Sequence, residues 1–406
     1  AADVHAADLD GDGDADVLSA SYSVDQIAWY ENTGDGGSFG AQQVFSTAAE
    51  GPRSVHAADL DGDGDADVLS ASAGDNKIGL YENTGGGSFG AQQVISTAVN
   101  GLGCIHSSDL DDDGDTDLLT ASYYDDKIAW YKNSGSGSFG SQQVISTTVD
   151  GAVSVNATDL DGDGDADVLS ASHKDNKIGW YENSGGGSFG SQQVISTAVD
   201  GAMSVNAADL DGDGDADVLS ASDEDNKIAW YENTGGGSFG AQQVISTDAK
   251  GARSVYAADL DGDGDADVLS ASSFWDDDKI AWYENTGGGS FGAQQVISTT
   301  VDGAVSVHTA DLDGDGDTDV LSASGGDDKI AWYENTGGGS FGAQQVISTA
   351  VDQARSVHTL DVDSDGDTDV LSASSRDNKL AWYENLLITT SIDDEKDGIT
   401  PTHFKL

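Results

Sequence analysis

The run Asp59-Leu60-Asp61-Gly62-Asp63-Gly64-Asp65-Ala66-Asp67 recurs, with small variations, eight times along the 406-residue chain. Its first aspartates are Asp8, Asp59, Asp109, Asp159, Asp209, Asp259, Asp311 and Asp361, at spacings of 51, 50, 50, 50, 50, 52 and 50 residues. The longer spacings come from one added residue near Asp35 and two between Ser273 and Asp278. A steady period of this size means an array of like units, each burying its apolar face against its neighbours. The units fall at about 1–50, 51–100, 101–150, 151–200, 201–250, 251–302, 303–352 and 353–393, with a polar tail over 394–406.

Within one unit, residues 54–59 read as a short strand of small residues. After the aspartate run, residues 67–72 (Asp-Val-Leu-Ser-Ala-Ser) make a second strand. Residues 77–83 alternate apolar and polar and make a third; Thr84 to Gly87 turns the chain, and residues 91–97 make a fourth. No segment has helical periodicity or a capping box. Four short strands per unit predict an all-β chain, an eight-bladed β-propeller, with a seven-bladed ring and one displaced copy as the alternative. The small Ala57 and Ala58 suit an innermost strand. In the last unit, residues 387–393 match 144–150 while the Gly-rich loop is deleted, so this blade is expected to keep its own fourth strand.

The aspartates alternate along the loop. After the first positions come Asp10, Asp61, Asp111, Asp161, Asp211, Asp261, Asp313 and Asp363 at the third, and Asp12, Asp63, Asp113, Asp163, Asp213, Asp263, Asp315 and Asp365 at the fifth. The seventh holds Asp14, Asp65, Asp115, Asp165, Asp215, Asp265, Asp317 and Asp367, and the ninth Asp16, Asp67, Asp117, Asp167, Asp217, Asp267, Asp319 and Asp369. A calcium ion takes six to eight oxygens at about 2.3–2.6 Å, and alternating carboxylates on a turned loop can converge on one. The sixth-position glycine permits the turn, the ninth aspartate would close the shell, and the seventh would offer its carbonyl. The start is EF-hand-like, but position twelve is Ser19 rather than glutamate. The alternative is a merely acidic, solvated loop. Five carboxylates in nine residues repel strongly without a counter-ion, which favours up to eight calcium ions, about one per repeat.

The unit over 54–72 resembles FG-GAP/VCBS-type repeats, known from integrin α-chain propellers and many secreted proteins. The resemblance covers residues 1–393, with Ser70-Ala71-Ser72 where the family often has Gly-Ala-Pro. It implies a β-propeller, calcium in the loop between the first two strands, and an extracellular or cell-surface location. It leaves function open among adhesion modules, lectins and accessory parts of enzymes.

Acidic residues number 74 against 16 basic ones, a formal charge of −58. Nucleic acid and anionic lipid carry the same sign, so both are excluded as direct partners. No apolar run reaches the ~18 residues of a membrane span. The single cysteine, Cys104, forms no internal disulfide. The chain opens at Ala1 with no leader-like segment, as expected of a trimmed precursor or an excised portion of a longer chain.

Antiparallel strands bring the aspartate loops and the Gly-Ser-Phe-Gly turns to one end of each blade, where the units barely differ. The other end carries the differences. One variable set is Tyr22-Ser23-Val24, Ala73-Gly74, Tyr123-Tyr124, His173-Lys174, Asp223-Glu224, Ser273-Phe274-Trp275, Gly325-Gly326 and Ser375-Arg376; a second lies around Arg53, Leu102, Val153, Met203, Arg253, Val305 and Arg355. All four arginines (Arg53, Arg253, Arg355, Arg376) and seven lysines from Lys77 to Lys379 fall here. Candidate ligand contacts are Phe274, Trp275, Tyr123, Tyr124 and these arginines, against a reading of neutral drift in duplicated loops.

Other features carry less. His5, His56, His106, Asn156, Asn206, Tyr256, His308 and His358 stand three residues before the loops, and polar packing accounts for them better than a metal or anion ring. Trp29, Trp130, Trp180, Trp230, Trp282, Trp332 and Trp382 read as core, with Leu80 in their place in unit two. The sequon at Asn156 sits on an expected inner strand, and Leu360-Asp361-Val362 belongs to a loop. No serine elbow, HExxH or zinc-spaced set is present. The expected role is non-catalytic binding or adhesion toward a carbohydrate or cell-surface protein. The alternatives are a self-assembling block of a surface coat or appendage, and a polysaccharide-active enzyme or accessory domain.

Overall fold

The computed structural model describes residues 1–33, 39–273, 278–362, 365–377 and 379–385. Every element in them is a strand except one 3-10 turn, Tyr22–Val24. The fold is an eight-bladed β-propeller. Seven antiparallel sheets show four strands in chain order, and the eighth shows three. The seven-bladed alternative is thereby set aside. The fourth strand expected over 387–393 and the tail over 394–406 lie outside the described residues.

Blade four shows how the residues make the sheet. Its strands are Ala152–Thr158, Asp167–Ser172, Lys177–Tyr181 and Gln193–Ser196. The second is buried at every residue, as a strand packed on both faces must be. Its Val168 and Leu169 stand opposite Tyr181 and Trp180 of the third. The first strand is only half-buried, and Asn156 lies within it opposite Leu169. The register of first against second strand slips between Ala152 and Ser154, a bulge that leaves Val153 unpaired. The same slip falls at Arg53, Arg253 and Arg355.

The chain divides into two compact units: Ala1–Thr97 with Val305–Thr336 and Ser340–Leu406, and Ala98–Ala304 with Gly337–Gly339. The first holds blades one, two, seven and eight. The second holds blades three to six. In both, cores form between neighbouring blades rather than inside one sheet. One cluster joins Leu160, Leu169, Ile178 and Trp180 of blade four to Val205, Val218 and Tyr231 of blade five. Another joins Leu9, Leu18, Ile27 and Trp29 of blade one to Val55, Val68 and Tyr81 of blade two. The tryptophans are therefore core, as their alternation predicts.

The Gly-rich turn is part of that interface. Trp180 meets Phe239 of the next blade edge-on at 6.2 Å. The backbone of Gly237 (φ +65°) lies so close to the same indole that a Cβ there would sit 2.4 Å from it. The pattern repeats with Trp29 against Gly87 and Phe89, and Trp130 against Gly187 and Phe189. A left-handed φ and a missing Cβ are both required at this one glycine.

Candidate functional site

The aspartate loop links the first and second strands, and its backbone is folded by its own carboxylates. In blade four Asp159 Oδ1 accepts the N–H of Gly162 at 2.7 Å and Oδ2 that of Gly164 at 3.0 Å. Asp161 and Asp163 accept from the residue two further on, at 3.1 and 2.9 Å. These Asx-type turns need Gly162 and Gly164 at φ +79° and +99°. The glycines are there for the loop's own geometry.

The ninth aspartate does something else. Asp167 is fully buried; its Oδ2 accepts Leu160 N–H at 2.9 Å and its Oδ1 accepts Asn183 N–H at 2.7 Å. One carboxylate thus ties the start of the loop to the end of the third strand. Asn183 then donates its side-chain amide to Ala166 O at 3.1 Å and to Leu110 O, in the preceding blade's loop, at 2.8 Å. Asn83, Asn233, Asn285 and Asn385 make the same reach to Leu9, Leu160, Leu210 and Leu312, and Asn32 reaches Val362.

First, third and ninth positions converge. In the groups Asp8/Asp10/Asp16, Asp59/Asp61/Asp67, Asp109/Asp111/Asp117, Asp159/Asp161/Asp167 and Asp209/Asp211/Asp217, one oxygen from each residue lies within 4.8 Å of the others. Two oxygens on opposite sides of a calcium ion stand about 5 Å apart, so the spacing and the all-oxygen donor set fit a hard cation. The clusters could hold a metal ion. The fifth and seventh positions stand apart from these groups of three, with Asp163 exposed and Asp165 half-buried. Asp363 and its neighbour Ser364 lie outside the described residues. Asp361 accepts Asp365 and Gly366 N–H inside its loop, as expected of a residue serving the turn.

The buried ninth-position acids keep their protons to higher pH than free aspartate. Burial first, and nearby carboxylates second, push Asp16 and Asp319 up to about 7, and Asp67, Asp117, Asp167, Asp217 and Asp267 up to about 6. The two backbone N–H bonds on each oppose the shift without cancelling it. Burial likewise raises Asp161, with Asp163, Glu182 and Asp159 adding repulsion.

At the other end of the blades the variable residues meet the blade-to-blade connections: Tyr123 and His173 donate their N–H to Gly101 O and Gly151 O. The bulge explains the second variable set, since it turns Arg53, Arg253 and Arg355 to the exposed side. The arginines do not share one spot. Arg53 stands over Tyr22 at 5.4 Å, Arg355 lies 3.4 Å from Ser375 Oγ, and Arg376 is 3.9 Å from Asp352. Tyr123 and Tyr124 meet edge-on at 5.1 Å, and the Lys174 ammonium lies 4.3 Å from the first ring and 5.9 Å from the second. Tyr124 is 66% exposed. Phe274 and Trp275 lie outside the described residues. Most third-strand lysines are matched locally: Lys77, Lys127, Lys177, Lys227, Lys329 and Lys379 each pair with the aspartate two residues before. Their ammonium groups are thereby paired locally.

Four first-strand histidines lie side by side with their rings tilted to one another. His5 lies 4.9 Å from His56 and 6.1 Å from His358, which is 5.4 Å from His308. Burial, then mutual repulsion, lowers His5 to about 4, and burial lowers the others, so they are neutral at neutral pH.

The sequence profile of the FG-GAP-like repeat matches residues 8–70, 109–170, 159–220, 209–270, 271–322 and 311–372. No curated protein matches the chain. Among solved structures, an Agrocybe aegerita lectin that recognises non-reducing terminal N-acetylglucosamine is 18% identical, with a TM-score of 0.57 over 86% of this chain and 94% of the lectin. The Vibrio cholerae biofilm matrix protein Bap1 is 14% identical, at 0.54 over 93% of this chain and 85% of its own. A Lactobacillus plantarum protein is 16% identical, at 0.54 over 82% and 95%. At such identities the likeness is one of fold. No helix is long and apolar enough to cross a membrane among the described residues.

Proposed function

Because the chain belongs to the FG-GAP-like repeat family, we propose that it is a calcium-stabilised, extracellular, non-catalytic binding module whose variable loops take a carbohydrate or protein ligand. Calcium is the ion the aspartate loops suit. First, third and ninth carboxylates would bind it, with further oxygens from the fifth and seventh positions. The ion would supply the positive charge that these carboxylates lack.

The observation that carries the binding reading is the cluster of the exposed Tyr124 and Lys174 with the half-buried Tyr123. Flat rings beside a cation offer stacking and polar contacts suited to a sugar or a polar protein surface. The Agrocybe lectin, on the same fold, supports a glycan as the ligand class.

The test is a glycan and polysaccharide screen of the folded chain in millimolar calcium. Tyr123→Ala/Tyr124→Ala and Phe274→Ala/Trp275→Ala variants run beside it. Saturable binding weakened at least tenfold by either variant is expected. Binding untouched by both, or none at all, would overturn the variable-loop reading.

A second reading, a self-assembling block of a surface coat, is favoured by the outermost strands. Val94, Val144, Val194 and Val244 stand about half exposed on edge strands that offer unpaired backbone groups. Concentration-dependent oligomers insensitive to sugars would mark it.

A further inference from the structure

We infer that blade three carries its own counter-ion: the Lys132 ammonium takes the place that calcium takes in the other loops, so this blade binds no metal. The inference rests on the calcium reading of the loops and refines it.

The residue after Tyr at the end of each third strand is glutamate in seven units: Glu31, Glu82, Glu182, Glu232, Glu284, Glu334 and Glu384. In blade three it is Lys132. The position faces the loop, since Glu31 repels Asp10 and Glu82 repels Asp61. Blade three reverses the charge there by two units. The Lys132 Nζ bonds Asp111 Oδ2 at the third position and lies 2.9 Å from Asp113 Oδ2 at the fifth. Asp111 keeps only 4% of its side chain exposed against 38% for Lys132, so the ammonium reaches in from the surface to a buried carboxylate.

The loop has been rearranged around the ammonium. In blades one, two, four, five, six and seven the third-position Oδ1 accepts the fifth residue's N–H. In blade three Asp111 Oδ1 is buried with no donor. In blades one, two, four, five, six and seven the first-position Oδ1 accepts the N–H of the fourth-position glycine, but here that residue is Asp112 and Asp109 Oδ1 also lacks a donor. The ammonium is the one cationic group the described residues place on the third- and fifth-position carboxylates of this loop, at Asp111 Oδ2 and Asp113 Oδ2. A divalent ion binding Asp111 would compete with it for that carboxylate.

The experiment counts calcium bound to the full chain by native mass spectrometry, checked by equilibrium dialysis. Lys132→Glu, which restores the residue of the other seven units, is expected to bind one ion more than the unsubstituted chain. Lys132→Gln, which removes the charge at similar length, is expected to gain the same ion. Lys127→Gln on the same blade, whose ammonium faces Asp125, leaves the count unchanged. Equal counts for the unsubstituted chain and both Lys132 variants, with calcium bound elsewhere, would overturn the inference alone. No bound calcium in any of them would overturn the calcium reading and this inference with it.

Discussion

Adding one methyl group at Gly237 should unfold the interface between blades four and five more than adding it next door. Gly236 and Gly237 both have left-handed backbones, φ +62° and +65°. An alanine at either pays about 1–2 kcal/mol for that conformation. A Cβ at Gly236 meets nothing within 4 Å, whereas one at Gly237 would sit 2.4 Å from Trp180, a ring buried to 3% exposure. Overpacking a filled core adds about 1–3 kcal/mol. Gly237→Ala should therefore cost about 2–5 kcal/mol and Gly236→Ala about 1–2, the difference reporting the indole contact alone. Urea unfolding followed by tryptophan fluorescence reads this out. At a slope of about 3 kcal/mol/M, Gly237→Ala should fall roughly 0.3–1 M below Gly236→Ala. Coincident curves for the two variants would refute the claim that this turn clasps the neighbouring blade.

Three further outcomes follow from the loops. In chelator, the ninth-position carboxyls hold protons that the unfolded chain, titrating near 3.8, has released; raised to about 6 at Asp167, each contributes stability that is complete below about pH 4 and fades as pH rises through 6. The metal-free stability should fall between pH 4 and 7, by about 3 kcal/mol for one such loop, and the melting temperature with it, while calcium's stabilising effect grows over the same window; a metal-free curve rising there would sink the argument. At pH 5 in chelator, Asp167→Ala strands two buried N–H groups at about 1–3 kcal/mol each and should destabilise by about 2–6, whereas Asp163→Ala, losing one exposed bond, should cost under about 1; equal losses by calorimetry would mean the ninth aspartate has no structural role. Saturating calcium should raise the melting temperature of the whole chain, and an unchanged value after chelation would count against the loops as metal sites.

Much of this was legible in the residues because it is local. The 50-residue period, the alternation of the third strand (Lys177–Tyr181 in blade four) and the spacing of the aspartates each follow from short-range patterns, and the propeller follows from their repetition. What escaped depends on where one blade meets the next. Asn183 looks like an ordinary strand-end residue until its amide is seen on Leu110 of the preceding blade. Gly187 and Phe189 read as a turn, yet their partner Trp130 lies in the preceding unit. The bulge at Arg253 leaves no periodic signal, because a slip of one residue is invisible without the paired strand. The ninth aspartate was foreseen as a ligand, but not as the residue holding two backbone segments together. Lys132, one reversed charge among seven glutamates, was not singled out from the sequence although comparing the units would have found it.

The contacts between neighbouring blades are directional. One flank of a blade offers an indole and the carbonyl at the second loop position; the other offers a glycine, a phenylalanine ring and an asparagine amide. Such a joint is heterologous, like plug and socket, and a patch of either kind cannot pair with a copy of itself. A chain cut between two blades would therefore carry one plug and one socket. Two halves should recognise each other by these surfaces and reassemble, while a lone half has a means to join other halves head to tail.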